Sequence, residues 1–117
     1  MQILFIVLND LSFLDAILEK FVELKVRGAT IIDSQGMARA IMKNEGVFQM
    51  LLSGPFAHSI SNESSSSKTI FTVIPEEEKV KEVVQAVQAI TQMSEKPVIG
   101  FMFTLPVTGI YPLKPKK

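Results

Sequence analysis

The 117-residue chain has no cysteine and no tryptophan, and neither sign of charge is in excess, with 12 basic residues against 12 acidic ones. Without cysteine there is no disulfide, no thiol nucleophile and no cysteine-ligated metal, as suits a reducing compartment. Balanced charge argues against a nucleic-acid partner, which calls for a basic excess or stripe. The one basic cluster, Lys114, Lys116 and Lys117 between prolines, reads as a flexible tail over about 112–117. Long apolar runs are missing too. The opening run Ile3 to Leu8 is far short of the ~20 residues that span a bilayer. No basic segment precedes it, so no signal peptide is expected and the expected location is cytoplasmic.

What remains is one domain over 1–117, long enough for a single core. Ile3 to Leu8 is apolar on both pleat faces, as in a central strand. Asn9 and Asp10 break it, and Ser12 with Asp15 three residues on resembles a capping box. Leu14, Ile17, Leu18, Phe21 and Leu24 recur at helical spacing. Gly28 ends that unit, and Ala29 to Asp33 is a second strand. Met37 to Ser67 breaks the rhythm: two possible helical turns to Asn44, an apolar stretch Val47 to Leu52, then a serine-rich loop from Ser59 to Ser67. Thr69 to Ile74 is a third strand. Pro75 and three glutamates open a helix where its dipole favours negative charge, with Val80, Val83, Val84, Val87 and Ile90 as the buried stripe. Val98 to Leu105 is a fourth strand, stopped by Pro106.

The order βαβ, insertion, βαβ predicts an α+β, ferredoxin-like βαββαβ sandwich with a four-stranded antiparallel sheet and a long insertion between strands 2 and 3. Two helices cover one face of such a sheet. Strands one and four are apolar on both faces, so the second face needs another cover, and self-association is the simplest.

The segments GATIIDSQGMAR, KTIFTVIPEEEKVKEVV and KPVIGFMFTLPV, in that order of elements, resemble the PII-like superfamily, the trimeric signalling proteins typified by the nitrogen regulatory protein PII. In that family a glycine begins the second strand and another stands eight residues later at the base of a long T-loop. Gly28 and Gly36 have that spacing, and Arg39 follows. The resemblance implies a homotrimer, a T-loop-like insertion at about 37–67, and a small anionic effector between subunits. It also implies a protein target, such as a transporter or enzyme, contacted by the insertion. The loop Met93 to Gly100 holds one glycine and a proline, Val107 to Ile110 has no arginine, and the single tyrosine is Tyr111. That places the chain nearer a subgroup without the usual nucleotide-binding motifs. The effector stays open between an adenine nucleotide held differently, another anion, or nothing, and no cofactor is assigned.

Gly36, Met37, Ala38 and Arg39 are the ligand candidates. Glycine lets backbone amides approach an anion, and arginine holds one bidentately; the plainer reading is a strand exit with Arg39 paired to a carboxylate. By resemblance, Lys96 and Gly100 sit across the same inter-subunit cleft. Met42, Phe48, Met50, Leu51 and Phe56 are the partner-contact candidates, either packing on the chain's own assembly or docking on a target. His58 beside Ser59 lacks a third group and adjacent residues seldom converge, so no enzyme activity is expected. His58 with Glu63 or Asp33 keeps open, as the alternative, a divalent-metal-binding protein of the cation-tolerance type on the same trimeric fold. A purely structural assembly module is the third reading.

Overall fold

The computed structural model describes residues 1–37 and 67–116. The expected insertion therefore lies almost wholly outside the described residues. The described elements are β1 (Gln2–Leu8), a 3-10 turn (Leu11–Phe13), α1 (Leu14–Glu23), β2 (Thr30–Ser34), β3 (Ser67–Ile74), α2 (Glu77–Thr91) and β4 (Gly100–Pro106). The strands form one antiparallel sheet in the order β2-β3-β1-β4. The architecture is α+β, a four-stranded antiparallel sheet with two helices, compatible with a ferredoxin-like arrangement.

Residues directly opposite in an antiparallel ladder share a face. Leu4, Ile6 and Leu8 of β1 and Ile70 and Ile74 of β3 point one way and form a core with Ile17 and Phe21 of α1 and Val80, Val83 and Val87 of α2. The valine stripe of α2 is where the periodicity puts it, with Val84 and Ile90 packed at its margin.

The local signals around α1 resolve differently from the sequence expectation. Ser12 and Asp15 do not cap it. Asp10 does the work one turn earlier: its carboxylate accepts from the Ser12 N–H at 3.1 Å and the Ser12 hydroxyl at 2.7 Å, capping the 3-10 turn from which α1 grows. Nor does Gly28 end the unit. Lys25 adopts φ 61°, and the Val26 N–H bonds the Phe21 carbonyl while the Lys25 N–H bonds that of Val22. This is a Schellman stop with lysine where glycine is usual. At Gly28 a Cβ would meet nothing within 4 Å, so the space there does not demand glycine.

Strand bounds shift as well. β2 runs one residue later than Ala29 to Asp33. β3 starts at Ser67 rather than Thr69, because the Ser67 hydroxyl donates to the Ser34 carbonyl at 2.9 Å and ties the serine into the ladder. β4 starts at Gly100 rather than Val98 because pairing with β1 begins at Leu8 opposite Gly100, and it includes Pro106 opposite Gln2.

Candidate functional site

The register brings four strand ends together: Leu8 of β1, Ser34 of β2, Ser67 of β3 and Gly100 of β4. The loops after β1 and before β4 meet at this end, and so do the two roots of the 38–66 segment. Two backbone bonds join the loops, from the Asn9 and Asp10 N–H groups to the Ile99 carbonyl at 2.7 and 3.2 Å. An ion pair reinforces them, the Lys96 ammonium lying 3.4 Å from the buried Asp10 carboxylate.

The Ser12 hydroxyl bond holds the Asp10 carboxyl below the usual aspartate range. Burial opposes this, and the Ser12 N–H and Lys96 assist it. A carboxyl depressed in the folded state stabilises the fold above its unfolded pKa, about 3.9, and loses that contribution as the pH falls through the folded value. Asp10→Asn is therefore expected to cost about 1 kcal/mol at pH 7, with a smaller gap from the unaltered chain at pH 3. Urea melts at the two pH values measure it.

Of the ligand candidates, Gly36 is half-buried and Met37 exposed, two and three residues past the end of β2. Ala38 and Arg39 lie outside the described residues, as do Met42, Phe48, Met50, Leu51, Phe56, His58 and Glu63. Lys96 is exposed at its tip and engaged with Asp10. Gly100 opens β4 at φ +156°, so close to β1 that a Cβ would stand 2.1 Å from the Val7 carbonyl oxygen. The Gly36 root belongs to the β2 edge of the sheet, and Lys96 and Gly100 belong to the β4 edge. Three strand spacings separate those edges, roughly 14 Å, so the described residues of one chain do not close a pocket around both sets. Asp33, weighed above as a metal ligand, receives the Lys68 ammonium at 2.6 Å, which lowers its pKa. Among the described residues no cluster of three histidine, cysteine or acidic side chains is placed to hold a metal.

Two features stand out that motif reading did not find. On the sheet face away from α1 and α2, Phe71, Phe5 and Phe103 run across three strands, with ring centroids 5.7 and 4.8 Å apart and the second pair stacked. Phe101 continues the band at 6.1 Å. Phe101 is 60% exposed, Phe103 42% and Leu105 49%. On the opposite face, α2 leaves β4 partly uncovered. A cleft of about 420 Å³ opens there, floored by Leu4, Ile6 and Met102 and walled by Val84, Val87 and Gln88. The apolar residues on both faces of β1 and β4 foreshadowed an apolar second face, whereas the cleft depends on where α2 lies and has no sequence signal.

Among the described residues no helix is long and apolar enough to cross a membrane. No family model matches the chain, and no curated protein matches it.

Proposed function

We propose that this chain is the subunit of a trimeric, PII-like regulatory protein, a ferredoxin-like βαββαβ fold whose insertion at 37–67 serves as the signalling loop. The observation that carries the reading is the band Phe71–Phe5–Phe103–Phe101. An aromatic face of this extent, rimmed by exposed Leu105 and Ile32, calls for a protein cover. Identical copies supply one through a closed ring. In such a ring the β2 exit of one subunit, Gly36 to Arg39, faces Lys96 and Gly100 of its neighbour. A small anion bound between them sets the path of the 37–67 segment. That segment then meets a target protein through Met42, Phe48, Met50, Leu51 and Phe56. The protein works in this reading by binding in the cytoplasm, without catalysis.

A thermal-shift screen with adenine nucleotides, bicarbonate, phosphate and divalent metal tests the effector. An anion present at a hundredfold excess over its Kd is expected to raise the melting temperature by several degrees, and Lys96→Ala is expected to remove that rise. A shift with divalent metal instead, abolished by His58→Ala, replaces this reading with the metal-binding one. No shift with any of them leaves the assembly module.

A further inference from the structure

We propose that Asp10 is an internal competitor for Lys96. Its carboxylate serves the Lys96 ammonium as a built-in counter-ion, and an anion gains that ammonium only by displacing Asp10. The displacement loosens the junction between the loops after β1 and before β4. The inference rests on the reading of Lys96 as an effector ligand and deepens it.

The two oxygens of Asp10 have separate duties. Oδ1 accepts from the Ser12 N–H at 3.1 Å and from the Ser12 hydroxyl at 2.7 Å. Oδ2 faces Lys96, whose Nζ lies 3.4 Å away, and it has no other partner among the described residues. The Asp10 side chain is 8% exposed and that of Lys96 is 65% exposed. The pair is therefore lopsided. The ammonium is reachable from solvent and can change partners, whereas the carboxylate is fixed at the base of the 3-10 turn and screened from water.

An anion approaching Lys96 meets a penalty in either geometry. If Lys96 swings out to it, Oδ2 of a buried carboxylate is left unpaired. If Lys96 stays, the anion shares one ammonium with a group of its own sign. Either way binding is weakened by roughly the strength of the ion pair, about two- to fivefold where one partner is exposed. The pair also spans the two loops. Asn9 and Asp10 donate their N–H groups to the Ile99 carbonyl at 2.7 and 3.2 Å, three residues after Lys96 and one before Gly100. Once Lys96 leaves Asp10, those two bonds hold the junction without it.

Titrations with ATP, bicarbonate and inorganic phosphate, each at fixed ionic strength, test the competition. Asp10→Asn removes the charge and keeps a side-chain oxygen for the Ser12 bonds. It is expected to bind whichever of these anions binds the unaltered chain, about two- to fivefold more tightly. Glu77→Gln, at the start of α2, changes the net charge equally and is expected to leave affinity as it was. Equal or weaker binding by Asp10→Asn overturns the competition and leaves the effector reading standing. Amide hydrogen exchange in the unaltered chain gives a second measurement that needs no variant. On anion binding the Asn9 and Asp10 amides are expected to exchange at least about twofold faster, while those of β1 do not. Slower exchange at Asn9 and Asp10, in step with β1, overturns the proposal as well. Binding of none of the three anions to either chain removes the effector reading and the competition with it.

Discussion

Changing Phe101 and Phe103 together to glutamate is expected to turn the proposed trimer into a folded monomer of 13.0 kDa, read by light scattering. In an assembly covering the helix-free face, each introduced carboxylate loses its water without a partner, at several kcal/mol per ion. Every subunit carries two of them. In the isolated chain both side chains already face solvent to a large degree. The fold loses little beyond the contacts of the Phe103 ring with Phe5 and Phe101, about 0.5–1.5 kcal/mol each. Circular dichroism should therefore be unchanged while the mass falls to one third. A variant that stays trimeric moves the interface elsewhere, and an unaltered chain that is monomeric removes the assembly reading.

Gly100→Ala is expected to cost about 3 kcal/mol or more, a large part of the roughly 5–15 kcal/mol that keeps a domain folded. Two penalties combine. At φ +156° an L residue is in a region open mainly to glycine, at about 1–3 kcal/mol. The added methyl also lands 2.1 Å from the Val7 oxygen and 3.1 Å from the Leu8 Cα. Those atoms are backbone in the central strand, so no rotamer change relieves the clash. Relief requires moving β4 away from β1, which disturbs the adjacent Asn9 and Asp10 bonds to Ile99. Gly28→Ala is the control, since its Cβ meets nothing, and is expected within about 0.5 kcal/mol of the unaltered chain. Urea denaturation of the three proteins compares them, and equal losses at 28 and 100 would refute the steric account. For Gly100 this close approach explains the glycine without any ligand.

Much of the architecture was readable from the chain because it rests on local periodicity. The α2 valines repeat at helical spacing, and Pro75 with the glutamates marks the start of that helix. The continuous apolar run of β1 signals a strand with two apolar faces. What misled was short-range polar chemistry. Asp10, Ser12 and Asp15 offer competing oxygens within one turn and a half, and only the path of the chain makes Asp10 the acceptor. Lys25 takes a conformation that composition assigns to glycine. Ser67 belongs to a serine-rich tract and becomes a strand residue only because Ser34 lies opposite it.

The candidate site was less legible, for a geometric reason. Gly36 and Lys96 lie sixty residues apart, and motif resemblance groups them. Strand order then sends them to opposite edges of one sheet, so the described residues of one chain bring them into no shared pocket. The Asp10–Lys96 clasp, the cleft beside β4 and the phenylalanine band all depend on register and helix placement, which link residues distant in sequence. Periods of two and 3.6 residues, held in neighbouring side chains, were enough to name the elements and their inward faces. Which faces remain uncovered follows from how those elements pack, since burial is a property of the neighbours a residue meets in space.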